Sequence, residues 1–290
     1  MKLTDFIAAM EHIAPPGLAM DFDNVGLLLG TDRHEITRVL VALDCTPATA
    51  QEAVDWNADL LLTHHPLFLD GAKRILPGDP ATAGAYILLR HGIAQYAAHT
   101  NLDAAPGGVN DCLADALGIF GAAPLPPENL GRIGMRGANI PETLGAFAAF
   151  VAERLGTAVR ICGDPVSPVS RVALIGGAGG SDAEAAHAAG ADTFVTGEVK
   201  HHQALAARFF GLNVIEAGHY ETERVVLLPL IHHLQALTND VQYRLTLSEA
   251  ACLGRIERFF GGRHGHYRYR RYRYEQTRCA LGIPTGRARA

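Results

Sequence analysis

The sequence predicts an α/β protein built from two similar units, on three observations. Apolar runs of strand length alternate with helical patterns, an order of βαβ type that implies a largely parallel sheet with helices packed on it. A long internal repeat relates the two halves of the chain. With 290 residues, 48% of them hydrophobic, there is enough apolar material for one large core or two modest ones.

The opening segment, MKLTDFIAAMEHIAPP, carries Asp5 and Glu11 inside an apolar pattern and reads as an amphipathic helix, not as a signal peptide. RVLVAL (38 to 43), DLLLT (59 to 63) and IAQYAA (93 to 98) read as strands, with helical patterns at 47 to 56 and 79 to 91 between them. The Pro-rich stretch from Pro124 to Pro127 then breaks the pattern, and a second set of strands and helices runs from about Gly131 to about Arg244. We therefore expect a first domain over 1–128, a second over 129–247 and an extension over 248–290.

The repeat is read directly. RVLVALDCTPATAQEAVDWNADLLLT (38 to 63) aligns without a gap on RVALIGGAGGSDAEAAHAAGADTFVT (171 to 196). In both, Arg-Val opens a strand, a small-residue turn and an Ala-rich helix follow, and Ala-Asp leads into a strand ending in Thr. Beyond these, Gly92-Ile93 opens a strand expected to end at His99, and Gly211-Leu212 one expected to end at His219. Four residues past each histidine stands a carboxylate, Asp103 in the first half and Glu223 in the second.

Charge and cysteine usage narrow the class. The net charge of -5 hides an asymmetry, because residues 261 to 290 hold eight arginines against one glutamate, which makes the tail +7 and the remainder -12. Cys45, Cys112, Cys162, Cys252 and Cys279 are scattered and odd in number, which argues against a disulfide framework and against a cysteine-type structural zinc site. No apolar stretch approaches the roughly 18 residues a spanning helix needs. The expected setting is a soluble, cytoplasmic protein with no membrane partner.

The chemistry gathers at predicted strand ends. His64-His65-Pro66 follows DLLLT directly, and consecutive side chains in extended backbone point opposite ways, so each imidazole can face a different metal ion. A histidine pair standing alone would read as a structural or surface feature. Here His64, His65, His99, Asp103, His219 and Glu223 all fall at the C-terminal edge, where parallel sheets gather their functional loops. Imidazole nitrogen and carboxylate oxygen together suit zinc, iron or manganese, and a carboxylate can bridge two ions. The alternatives are a helix N-cap for Asp103 and a first-turn charge for Glu223.

Other features rank lower. Gly176 to Gly180 lies between a strand and a helix; its amides could cradle a phosphate, but the spacing is not that of a dinucleotide motif, and a tight packing turn is the preferred reading. The segment Gly197 to His202 occupies the place in the second repeat that His64-His65 occupies in the first and should border the same cleft. Lys200 there suits an anionic substrate or a solvated helix start. His232 and His233 lie inside a predicted helix and read as structural. In the tail, Arg alternates with Tyr267, Tyr269, Tyr272 and Tyr274, a composition that binds single-stranded nucleic acid by charge and stacking. A loosely held extension is the preferred reading there.

DFDNVGLLLG (21 to 30), LLTHHPLF (61 to 68), HTNLDAAPGGVND (99 to 111), TGEVKHH (196 to 202) and GHYETE (218 to 223) together resemble the NGG-one-interacting-factor-three-like family. Its members are also called dinuclear metal centre proteins and GTP cyclohydrolase 1 type 2 homologues. The resemblance covers roughly residues 1 to 247; Phe22 stands where the family commonly has Trp, and the tail beyond about Gly261 matches nothing in it. It implies two similar, intertwined three-layer α/β domains assembled as a homohexamer. It places the ligands of two divalent ions on His64, His65, Asp103, His219 and Glu223, with Glu223 as the bridge. His99 then becomes a substrate-facing residue able to orient a ligand or move a proton. The implied activity is hydrolysis of GTP or a related nucleotide. The competing expectations are a phosphoesterase or nucleotidase using the same ions, and a non-catalytic scaffold or regulatory interaction protein.

Overall fold

The computed structural model describes residues 1–249, 255–259 and 266–270. Helix α1 (Leu3–Ile13) leads through β1 (Gly26–Leu29) into the first repeat, β2 (Arg38–Ala42), α2 (Pro47–Asp55), β3 (Leu60–Thr63), α3 (Ala83–His91), β4 (Ala94–Ala97) and the short α4 (Thr100–Ala104). There follow α5 (Val109–Ala116), β5 (Ile119–Pro124), β6 (Arg132–Arg136), α6 (Leu144–Leu155) and β7 (Arg160–Cys162). The second repeat is β8 (Arg171–Ile175), α7 (Ala183–Ala188), β9 (Thr193–Thr196), α8 (His201–Phe209), β10 (Asn213–Glu216) and the short α9 (His219–Glu223). Helix α10 (Leu227–Leu237) and strand β11 (Gln242–Leu245) come after it.

Strands β1 to β11 form two sheets. The first has the order β1-β4-β3-β2-β11 and the second the order β5-β6-β8-β9-β10-β7. Strands β2, β3 and β4 are mutually parallel, as are β8, β9 and β10, so each repeat delivers its functional ends to one edge of its sheet. The first-repeat elements fall close to where the periodicity puts them, except that α3 starts at Ala83 instead of at 79, and local signals mark their ends. Thr46 accepts from the Thr49 amide at the start of α2, where Pro47 takes the first turn, and Gly92 closes α3 with φ 62°.

Alternation within strands explains the layers. Val39 and Val41 of β2 pack with Phe6 and Met10 of α1 and with Leu230 and Leu234 of α10, while Leu40 and Ala42 face Ala50 and Ala53 of α2 and Leu88 of α3. In the second sheet Val172 and Leu174 meet Leu113 of α5 and Phe147 of α6, while Ala173 and Ile175 meet Ala186 of α7 and Ala207 of α8. Each sheet is thus covered on both faces, which accounts for strands apolar on both sides.

The chain crosses between the sheets twice. Strand β5 pairs with β6, so the Pro-rich stretch after Pro124 turns within the second sheet. Late in the sequence, α10 covers the first sheet and β11 adds to it beside β2, Tyr243 opposite Val39. This is the intertwining that the resemblance implies. No helix among the described residues is long and apolar enough to cross a membrane. Within a second compact unit, residues 250–290, β12 (Arg255–Phe259) and β13 (His266–Arg270) pair antiparallel. The rest of the Arg/Tyr tail, with Tyr272 and Tyr274, lies outside the described residues.

Candidate metal centre

The chain leaves β3 at Thr63 and stays extended for two residues, because the amides of His64 and His65 donate to the carbonyls of Ala42, the last residue of β2, and of Leu43 just past it. That splays the imidazoles. His64 is fully buried, and His65 stays partly open to solvent. The expected strand ends at His99 and His219 are late: β4 stops at Ala97 and β10 at Glu216. His99 caps α4, with Asp103 one turn along, and His219 opens α9, with buried Glu223 at its end. Asp103 is therefore no N-cap, and Glu223 is no solvated first-turn charge.

Glu223 lies between two sets of partners. Its Oε1 is 3.7 Å from His64 Nε2, which is 3.6 Å from Asp103 Oδ1. Its Oε2 is 3.0 Å from His65 Nε2 and 3.1 Å from His219 Nε2, and those two nitrogens are 3.3 Å apart. Ligands about 2.0–2.2 Å from one ion stand roughly 3 to 3.5 Å from each other, so both sets have near-coordination spacing. Grouping by distance alone also puts His99 with His64 and His65. Its ring centroid is 5.2 Å from that of His64 and 5.7 Å from that of His65.

The protonation pattern makes the case chemical. His64 Nδ1 faces the Ala98 carbonyl at 2.8 Å, and a carbonyl only accepts, so Nδ1 carries the hydrogen and Nε2 presents a lone pair. Carboxylates do the same for the other three: Asp44 at 2.8 Å from His65 Nδ1, Glu198 at 2.8 Å from His219 Nδ1, and Asp23 at 2.9 Å from His99 Nδ1. With neutral imidazoles, lone pairs then face carboxylate oxygens with nothing between them. His64 Nε2 and Glu223 Oε2 are buried atoms without a hydrogen-bond partner. A cation resolves that arrangement, and outer carboxylates holding Nδ1 are the usual support of metal-bound imidazole.

Without a cation, protons take its place. Burial works to lower the pKa of His65, but Asp44 and Glu223 outweigh it and raise it to about 10. Contact with Glu223 raises His219 to about 9 against the opposing effect of burial. Burial pushes the Asp103 carboxyl up to about 6, with His64 opposing, whereas the three histidines hold Glu223 well below the usual carboxylate range despite its burial. At these values His65 and His219 are protonated at neutral pH, so a divalent cation must displace protons and bind more tightly as pH rises. Zinc titrated calorimetrically into metal-free protein at pH 7, in buffers of different ionisation enthalpy, should show net proton release. A heat independent of the buffer would contradict this.

The glycine run is a packing turn, and it forms part of the site. Gly177 has φ +64°, and a Cβ there would lie 2.1 Å from Glu223 Oε1 and 3.2 Å from His219 Nε2. The amides of Gly176 and Gly177 donate to Asn110 Oδ1 and Thr222 Oγ1, so they do not cradle a phosphate. Of the second-repeat segment that aligns with His64-His65, Glu198 reaches the site, while Lys200 caps α8. His232 and His233 are exposed on α10.

Sequence reasoning passed over Asp23, Asp44 and Arg132, and it read Gly177 as part of a packing turn without placing it at the site. The signal for Asp44 and Gly177 was in the repeat, which aligns them with each other just past β2 and β8. Arg132 had none. Its buried guanidinium donates to the carbonyls of Ala104 and Ala105 at 2.9 and 3.1 Å and pairs with Asp111, so β6 of the second sheet clamps the helix that carries Asp103.

A family model described as Duf34/NIF3 (NGG1p interacting factor 3) matches residues 1–251. A Streptomyces coelicolor protein named GTP cyclohydrolase 1 type 2 homolog is 37% identical over 232 residues, covering 77% of this chain and 81% of that protein. A Clostridium perfringens protein of the same name is 33% identical over 251 residues, covering 84% of this chain and 95% of that one. Among solved structures, a Bacillus cereus protein related to NIF3 superposes with a TM-score of 0.78 at 24% identity, over 87% of this chain and 98% of that chain, a likeness of fold.

Proposed function

The chain belongs to the Duf34/NIF3 family, and from that premise we propose that it is a hydrolase working with two divalent cations. His64, Asp103 and Glu223 hold one, and His65, His219 and Glu223 hold the other. The observation that carries this reading is Glu223, whose two carboxylate oxygens face separate sets of lone pairs. Three protein ligands per ion leave positions for water and substrate, which favours catalysis over a closed structural site. Such a pair, when bound, supplies Lewis-acid polarisation of the substrate and a water activated at neutral pH.

The chain's own residues supply the rest. Asp23 keeps the hydrogen of His99 on Nδ1, so Nε2 is free to accept a proton beside His64 and His65. The carboxylates of Asp44 and Glu198 hold the imidazoles of His65 and His219 in place. The names of the relatives supply the substrate proposed, GTP or a related nucleotide. A cytoplasmic homohexamer is part of the same reading, on kinship, and zinc, iron and manganese all suit the donor set.

The test is elemental analysis of the purified full-length chain and of His99→Ala, with hydrolysis of GTP and of bis(p-nitrophenyl) phosphate assayed on the same samples. Two metal equivalents in both proteins, with turnover cut about 100-fold or more in His99→Ala, is the expected result. Turnover of the phosphodiester alone would move the assignment to a phosphoesterase. Two equivalents with turnover of neither would replace catalysis by a scaffold or regulatory role.

A further inference from the structure

Two consecutive amides just past β2 are satisfied from the far end of the described chain. Leu43 N donates to Glu249 Oε2 at 2.9 Å, and Asp44 N donates to Glu249 Oε1 at 2.7 Å. Glu249 reaches them because the turn after β11 is itself tied down. The buried Glu52 carboxylate on α2 accepts from Thr246 Oγ1 at 2.7 Å and from the amides of Leu247 and Ser248 at 3.0 and 2.9 Å. Asp44 in turn accepts from His65 Nδ1 at 2.8 Å. One line of contacts therefore runs from α2, through residues 246–249, to the imidazole that faces Glu223.

The second repeat shows what is unusual here. At the matching place, the amides of Gly176 and Gly177 are met by neutral oxygens, those of Asn110 and Thr222. The first repeat uses a carboxylate beside Asp44, where burial first and like charge second push its pKa up to about 7 against the pull of the two amides, so that it is ionised above neutral pH. Charge-assisted bonds to both amides are stronger than neutral ones and fix the 43–44 peptide, and with it the root of the Asp44 side chain. That side chain is half-exposed, so it has little packing of its own to hold it.

We propose that Glu249 is a positioning residue of the metal centre: by fixing Asp44 against His65 it sets the cation affinity of the His65–His219–Glu223 position. This rests on the two-cation reading. Outer partners of metal-bound histidine are typically worth about 10- to 100-fold in affinity, and Glu249 acts one step behind such a partner.

The experiment is zinc titration against a competing chelator on the full-length chain, with Glu249→Ala, Glu249→Gln, Asp44→Ala and the Glu249→Ala/Asp44→Ala double variant. Glu249→Ala should weaken one zinc equivalent by about 10-fold and leave the other near the wild-type value. Glu249→Gln, which keeps one acceptor oxygen, should fall between the two. Asp44→Ala should weaken the same equivalent, and the double variant should be no weaker than Asp44→Ala alone. Unchanged binding in Glu249→Ala, equal weakening of both equivalents in step with a lower Tm, or additive losses in the double variant would each overturn the proposal. Wild-type protein that binds no zinc would overturn the two-cation reading and this inference with it. Normal wild-type binding beside an unaffected Glu249→Ala overturns the inference alone.

Discussion

Glu223→Ala should lose both cations at once, whereas Asp103→Ala and His219→Ala should each lose one. Among the described residues, Glu223 is the carboxylate that lies within 4 Å of imidazoles in both sets, Oε1 toward His64 and Oε2 toward His65 and His219. Asp103 faces the His64 set and His219 the His65 set. Elemental analysis should fall from about two equivalents to about none in Glu223→Ala and to about one in each of the others. A second reading comes from melting. A ligand present at about 1,000 times its Kd stabilises the folded state by roughly 4 kcal/mol, so metal should raise the wild-type Tm and leave that of Glu223→Ala nearly unmoved. One retained equivalent in Glu223→Ala would show that this carboxylate does not bridge.

Gly177→Ala should weaken cation binding more than about 10-fold in a chain that still folds. Alanine at φ +64° carries backbone strain of roughly 1–2 kcal/mol, and its Cβ would fall 2.1 Å from Glu223 Oε1, far inside contact distance. The carboxylate must then turn away from the donors it faces. Gly190→Ala is the control: its φ of +84° imposes a comparable strain, but nothing lies within 4 Å of the added Cβ. The two variants should therefore lose similar backbone stability, while Gly177→Ala alone should lose more than about 10-fold in zinc affinity. Equal affinities in the two would mean that Glu223 has room to adjust and that the glycine serves the turn only.

Much of the site was legible because the repeat places histidines and carboxylates at equivalent strand ends, and a parallel sheet brings its strand ends to one edge. His64, His65, Asp103, His219 and Glu223 converge, and His99 stands beside them. The outer carboxylates were less legible. An aspartate after an apolar run, such as Asp44 or Asp23, looks like an ordinary turn residue until the imidazole it holds is in view. Gly177 carries no chemistry of its own; its importance is the space it leaves for Glu223.

The sequence by itself determined the α/β class, the alternating strands and helices of both repeats, and the six histidines and carboxylates, His64, His65, His99, Asp103, His219 and Glu223, that stand at strand ends. These follow from periodicity and from short motifs, which local backbone geometry expresses directly. Only the tertiary structure decided that α5 and β5 join the second sheet while α10 and β11 return to the first. It alone decided that Arg132 clamps the Asp103 helix and that Glu249 reaches Leu43 and Asp44 across 206 and 205 positions. The physical reason is range: pairing and burial between segments so far apart depend on how whole sheets pack, and no local period or spacing encodes that choice.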